Sequence, residues 1–348
     1  MKVGLKPINK IPTAPFKRGS FFIVKSKISL GIDRLLFKSK SIFVSKKSFF
    51  ISVAFRFLRG LWGLLLILLT FQDSFSQEDT LNTKRLNTVI ITEAIGYGLA
   101  MTGMYTLWYK DVPSSPFHTF NDSEEWLQMD KVGHGVTSYY VGMAGYHALK
   151  WSGVTKNKSI LFGGSLGLFF LTSVEVYDGY SSDWGFSWAD VGLNTLGAGL
   201  FMGQQFIWDE QRVLLKYSYH KSNYADINPN LLGENLLQNT IKDYNGQTYW
   251  ASANIASFLG SETKFPKWLN LAVGYGADGM IGAFDNPSYY LTERERQYYL
   301  SFDIDLTRIK TKSKFVNTVL GAFGFLKFPM PTVEFNQKSG FKFHPIYF

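Results

Sequence analysis

Four long stretches of the chain are apolar enough to be helices, and polar loops separate them. Residues 89–109, VIITEAIGYGLAMTGMYTLWY, are interrupted only by Glu93 and read as a buried or membrane-level helix. KDVPSSPFHTFNDS follows with two prolines and breaks the pattern. Asp122 and Glu125 then stand in the D-x-x-E relation of a capping box, predicting a second helix from there to about Trp151. After the turn SGVTKNKS, residues 160–177 are apolar all round until Glu175, as in a helix inside a bundle core or a bilayer. The loop DGYSSDWGFS leads to a fourth helix over 188–208. Gly163 and Gly167 on the third helix, and Gly199 and Gly203 on the fourth, have the four-residue spacing that lets helices approach closely.

Beyond about Asp209 the period changes. RVLLKYSYH, WLNLAVGYG and YYLSFDIDLTRI alternate or cluster aromatic and β-branched residues as strands do. Residues 231–244 and 315–326 read as helices. The terminal GFKFHPIYF is similar to an outer-membrane barrel strand, although Pro345 interrupts it. Five or six strand candidates fall short of the roughly eight that the smallest such barrels need. The expected architecture is therefore mainly α: a four-helix, membrane-associated bundle over 89–208 with a mixed α/β extension over 209–348.

The segment before the bundle has its own logic. Residues 56–76, RFLRGLWGLLLILLTFQDSFS, give a charged start, an apolar run and small residues at Ser74 and Ser76, the layout of an export signal. That assigns 53–76 to a signal peptide and 77–88 to a tether. Residues 1–52 show no sustained period and are expected to be a non-native or leader extension, with translation starting near Val53 or Phe55 or, as the rival reading, an organelle presequence.

Charge changes the picture less than its total suggests. The 348 residues carry a formal charge of +9, but residues 1–60 hold fourteen Lys and Arg against one acid, Asp33. The remainder holds 22 basic and 26 acidic residues, so no basic face recommends a nucleic acid as partner. Aromatics make up 17% and charged residues 18%, below the roughly 25% charged of ordinary soluble domains, which points to an envelope setting. There is no cysteine, which removes disulfides, thiolate metal sites and a lipid-bearing N-terminal cysteine.

The candidate chemistry lies at the helix ends. Asp130 and His134 are four apart and share a face, as do Asp190 and Asn194; Glu175 and Asp178 close the third helix. If short connections pack the helices antiparallel, one end gathers all three sets. Each set also has a structural reading. Asp190 stands at the capping distance from Ser187, Asp178 fits a turn, and Asp130 and His134 can simply bond to neighbouring helices. A divalent metal suits histidine with carboxylates. Against it, the paired Glu-x-x-His motifs of bundle di-metal sites are missing, and His118 is the sole plausible second imidazole, His147 lying too far along its helix. Acid–base catalysis would fall to His134, Asp130 and Glu175. No G-x-S-x-G, P-loop or H-E-x-x-H motif names a nucleophile or a nucleotide.

Those residues also carry a likeness. Asp130-Lys131-x-x-His134, Glu175-x-x-Asp178-Gly179 and Phe186-Ser187-x-x-Asp190-x-x-x-Asn194-x-x-Gly197 together resemble the YfiM-like family of bacterial envelope proteins, of predicted periplasmic lipoprotein type. More distantly they are similar to VanZ-like membrane proteins. The resemblance covers about 89–208 and implies a compact helical unit in the cell envelope, facing the periplasm at the inner or outer membrane. It implies no activity, and the absence of cysteine departs from the lipoprotein pattern. The resulting expectation is a polar cluster of Asp130, Lys131, His134, Glu175, Asp178, Asp190 and Asn194 that fixes the helices and binds a lipid or glycan headgroup. The alternatives are a metal- or His-assisted hydrolase or transferase on such a headgroup, and an outer-membrane assembly or barrel protein. Oligomeric state is left open.

Overall fold

The computed structural model describes residues 81–260 and 262–348; the readings of a leader and signal fall outside that range. Helix α1, Thr83–Met104, starts within the segment expected to be a tether, where the Asn82 side chain accepts from the Arg85 N–H at 3.0 Å. It runs on into a π-helical turn, Tyr105–Tyr109. Helix α2 is Met129–Trp151, α3 is Lys156–Asp178 and α4 is Trp188–Trp208. A π-turn, Ser159–Gly163, interrupts the first part of α3.

The second helix does not begin at the capping box. A 3-10 turn, Glu125–Gln128, precedes α2, and Trp126, Leu127 and Gln128 all have positive φ (49°, 50° and 66°). Non-glycine residues rarely adopt that region. Three in succession reverse the chain, so that Trp126 joins Met129 in a core with Ala225, Met280 and Ile281. Asp122 is thereby released from capping to make the long-range contacts described below.

Glycine sets how closely α2 meets its neighbours. A Cβ on Gly197 of α4 would run into the carbonyl oxygen of Gly135, and one on Gly167 of α3 into that of Ser138. Gly163 presses on Gly145 and Tyr146 in the same way. Gly199 and Gly203 face open space, so of the two spaced pairs only that on α3 lies in a crossing.

After α4 the chain forms one six-stranded antiparallel meander in sequence order: β1 Val213–Tyr219, β2 Gln247–Asn254, β3 Leu269–Asp278, β4 Glu295–Ile304, β5 Met330–Asn336 and β6 Gly340–Tyr347. Short helices decorate the connections: α5 Pro229–Leu232, α6 Leu236–Lys242, α7 Ile255–Phe258 and α8 Lys314–Ala322. The sheet corrects the expectation of a mainly α, four-helix membrane bundle. Among the described residues helix accounts for 46% and strand for 21%, which is an α+β arrangement. Among the described residues one helix, α3, is long and apolar enough to cross a membrane, and half of that window is buried inside the protein. The segments that read as strands fall on β1, β3, β4 and β6, whereas β2, QTYWASAN, and β5, MPTVEFN, go unnamed because they lack an obvious β-branched run.

Helices and sheet share one compact unit, residues 78–348. Gln204 of α4 acts as a surrogate strand: its Oε1 accepts from the N–H of Val213 at 2.8 Å and its Nε2 donates to the Val213 carbonyl at 2.9 Å. Tyr140 of α2 donates to the Leu215 carbonyl, and Tyr139, Tyr146, Ile160 and Phe201 form the core beneath. The sheet thus hangs from the helices by β1.

The glycine crossings give a paired test. Gly197→Ala should lower stability by about 1–3 kcal/mol through overpacking. Gly199→Ala, in open space on the same helix, should raise it by up to about 1 kcal/mol through helix propensity. Urea unfolding followed by circular dichroism measures both, and equal effects would contradict the assignment of the crossing.

Candidate functional site: a buried carboxylate, lysine and histidine cluster

Lys131, the third residue of α2, is nearly fully buried and its ammonium is the hub of the site. Nζ donates to Asp122 Oδ2 at 2.6 Å, to Asp190 Oδ2 at 2.9 Å and to Asp130 Oδ2 at 3.1 Å. Three donors thus meet three carboxylates drawn from the loop before α2, from α4 and from α2 itself, which meets the full donor capacity of an ammonium. Two of the three carboxylates have further support. Ser187 Oγ donates to Asp122 Oδ1 at 2.6 Å, and Tyr244 from the sheet side donates to Asp130 Oδ1 at 2.6 Å. Ser187 also caps α4, accepting from the Asp190 N–H at 3.1 Å, so the S-x-x-D spacing does both jobs.

His134 lies one turn along α2. Its Nδ1 lies 3.2 Å from Asn194 Oδ1, a contact in which the amide oxygen accepts. Glu175, at the close of α3, sits with Oε1 3.7 Å from His134 Nδ1, while Oε2 accepts from the Ser187 N–H at 3.2 Å. Asp178 accepts from Tyr109 at 2.7 Å.

The cluster has two electrostatic halves. Burial opposes the charge on Asp122 and Asp130, but Lys131 and hydrogen bonds, with His134 at Asp130, outweigh it and hold both below the ordinary carboxylate range. The same carboxylates hold the Lys131 ammonium above its ordinary range despite its burial. Further in, burial wins. It pushes Asp190 up to about 6, Asp178 up to about 7 and Glu175 up to about 10, and the neighbouring carboxylates add to the rise at Glu175.

Three buried polar atoms in this half have no hydrogen-bond partner: Glu175 Oε1, Asp190 Oδ1 and Asn194 Nδ2. Buried polar atoms are nearly always paired, so three in one place need a reason. A histidine nitrogen and one oxygen from each of Asp130 and Asp190 lie within 4.8 Å of one another, a separation from which a single cation can be held. A second group, Asp122, Glu125 and Asp130, meets the same distance but offers no imidazole.

The short connections therefore bring Asp130, Lys131, His134, Glu175, Asp190 and Asn194 to one end of the helices. Asp178 borders them through Tyr109. His118 instead lies beside Ser115, with Nδ1 3.3 Å from its Oγ, and His147 stacks on Tyr146, so neither supplies a second imidazole. Sequence reasoning missed Asp122, whose D-x-x-E spacing pointed to a cap, and the tyrosines at 109 and 244, for which no local signal exists.

The stretch that carries the cluster also carries its likeness to known proteins. Residues 119–203 match the model of the family described as predicted periplasmic lipoprotein (DUF2279). The chain is an exported cell-envelope protein. The match supports an envelope family, though not the narrower YfiM-like or VanZ-like naming. No curated protein and no solved structure matches the chain.

The hub is testable by removing its charge. Lys131→Met leaves three carboxylates facing one another without a counter-ion and should cost about 3–5 kcal/mol, the usual penalty for breaking a buried ion pair. Asp122→Asn, which leaves Lys131 two carboxylates, should cost about 1–3 kcal/mol. Urea unfolding of both variants checks the order; a smaller loss for Lys131→Met would remove the ammonium from its place as hub.

Proposed function

We propose that the cluster holds a divalent cation and, through it, binds a phosphate-bearing headgroup of the cell envelope. The carrying observation is the unpartnered Asp190 Oδ1 beside Asp130 and His134, with Glu175 Oε1 unpartnered as well. A cation held by Asp130, His134 and Asp190 gives Asp190 the positive partner that no side-chain donor provides to its Oδ1. Imidazole with carboxylates is a donor set for zinc or manganese. Asp130 and His134 keep 22% and 17% of their side chains exposed, whereas Glu175 is closed off at 2%, so the cluster opens on one side.

The cation also resolves a conflict of charge. Carboxylates in this number repel a phosphate, so a headgroup cannot bind them directly. A bound divalent ion becomes the largest local charge and inverts that preference. A hydrolase would need a nucleophile beside the ion. The hydroxyls bordering the cluster are committed, Ser187 to Asp122 and Ser138 to the Asn194 carbonyl at 2.7 Å. The binding reading therefore stands ahead of the catalytic one.

The test is metal removal and return. Chain stripped with a chelator should melt several degrees higher when zinc or manganese is restored, since ligand at about 100 times its Kd contributes about 2.7 kcal/mol. His134→Ala and Asp190→Asn should lose that rise. Glycerol phosphate should then bind by calorimetry to the metal-loaded chain and not to the stripped one. A stripped chain whose melting is indifferent to both metals would overturn the proposal.

A further inference from the structure

The six-stranded sheet has the opposite polarity to that of a soluble protein. Along β3 to β5 alternate residues divide into a buried, largely polar set and an exposed apolar set, and the buried side of the sheet also packs Trp250, Ala272 and Tyr299. On β4, Ser301 and Asp303 are buried while Leu300 and Phe302 are each 49% exposed. On β5, Thr332 and Glu334 are buried while Val333 and Phe335 point outward.

The polar face is sealed against itself. Lys216 of β1 reaches Asp303 of β4 at 2.7 Å, and both side chains are fully buried. Lys327 adds its ammonium 3.8 Å from the same carboxylate and donates to the Phe302 carbonyl at 2.8 Å. Thr248 of β2 meets Tyr347 of β6 at 3.0 Å across three intervening strands, so the sheet is rolled with this face inside. The free edge of β1 is occupied as well: the Tyr217 N–H donates to the Phe325 carbonyl at 2.8 Å, and the Tyr217 carbonyl accepts from the Lys327 N–H at 2.9 Å. A roll closed in this way cannot turn its polar face to water.

The outer face is then a convex apolar surface in register across four strands. Val273, Leu300, Val333 and Phe343 form one row. Tyr275, Tyr298, Phe335 and Phe341 form the next, and Leu271 pairs with Phe302 on the other side. With the Leu269–Ile304 pair the band extends over six residue steps, about 20 Å at the usual rise of a strand. That exceeds the roughly 15 Å of one leaflet and approaches the ~25 Å band of outer-membrane barrels. Exposed lysines stand at both ends: Lys338 in the turn beyond the tyrosine row, and Lys310 and Lys312 in the segment that follows the other end of β4.

We infer that this face of the sheet is seated against the hydrocarbon of a lipid bilayer, with its basic ends at the anionic headgroups. Four features select lipid over a protein partner. The surface is convex, its rows run without a polar side chain between them, tyrosine borders one end and cations flank both. Outward apolar with inward polar alternation is the arrangement of strands in membranes. Water strongly disfavours such a face, since contiguous exposed patches beyond a few hundred Å² are rare on soluble monomers. The helical unit covers β1, β2 and the Tyr275 corner of the sheet, where Tyr275 donates to the Leu127 carbonyl and Arg296 to Gln128 Oε1 at 2.8 Å. The lipid-facing arc is the rest of β3 with β4 to β6, which is a different geometry from a bundle of spanning helices and from a complete barrel.

The chain has no cysteine, which makes single-site labelling clean. Val273→Cys, Leu300→Cys and Phe343→Cys, with the exposed loop variant Ser182→Cys as control, are labelled with an environment-sensitive fluorophore. Each full-length variant is then reconstituted in vesicles of phosphatidylethanolamine and phosphatidylglycerol. Emission at the three sheet positions should shift to the blue and be strongly quenched by nitroxide on the lipid acyl chains, and the control should show neither. Flotation of the unsubstituted chain with the vesicles gives the same answer without any substitution. Failure to float, or sheet positions that respond like the control, would overturn the inference. So would a blue shift that appears without lipid and grows with protein concentration, because the face would then be covered by a second copy. None of these readouts involves the cation, so the two proposals stand or fall separately.

Discussion

The ammonium of Lys131 is the contact on which the arrangement of the helical unit rests. Two of the three carboxylates it gathers come from outside α2, Asp122 from the preceding loop and Asp190 from the start of α4. Burying an isolated ammonium costs several kcal/mol. Each of the three oxygens offsets part of that cost, so the contact favours the packing that brings all of them to one point. Ser187 extends the preference to the α3–α4 loop by bonding Asp122 through its side chain and Glu175 through its backbone.

Close approach of the helix backbones makes that packing reachable. Gly135 against Gly197 brings α2 and α4 together one turn beyond the hub, next to His134 and Asn194. A methyl group there would separate the helices and lengthen the 3.2 Å bond from imidazole to amide. The same approach explains why Asp190 can satisfy Lys131 with Oδ2 and still leave Oδ1 unpartnered. Position is fixed by backbone contact, not by the side chain's own bonding, so an oxygen can be held where its hydrogen bonding is incomplete.

How much of this could be read from the residues alone depended on range. Spacings of four on a helix put Asp130 with His134 and Asp190 with Asn194, because the helical period alone decides which face they share. Short connections then sufficed to predict that the sets converge. Asp122 defeated the reading because its local pattern fits a cap, while the partner that overrides it lies nine residues on and requires three left-handed residues between. Gly199 and Gly203 misled for a related reason: spacing shows that two glycines share a face but not which face is buried. The sheet failed on polarity. The alternation in YYLSFDIDL marks a strand, but alternation alone does not say which of its faces is buried, so the outward Leu300 and Phe302 and the rolling of the sheet were not legible in it.

That reversal connects the two halves of the molecule. In each, charge is placed inside and given partners: Lys131 among three carboxylates in the helices, Lys216 and Lys327 about Asp303 in the sheet. In water, such buried networks are commonly no more stable than well-packed apolar residues of the same volume. The comparison changes when the outside is apolar as well. A chain whose outer residues are leucine, valine and phenylalanine gains little from an apolar interior, because the surroundings offer the same contacts without folding. Internal hydrogen bonds and ion pairs then supply the preference for one fold over others, as unmade polar contacts are most costly where no water can replace them. The polar interior of the sheet and its apolar exterior are therefore a single adaptation, and the first is intelligible only with the second.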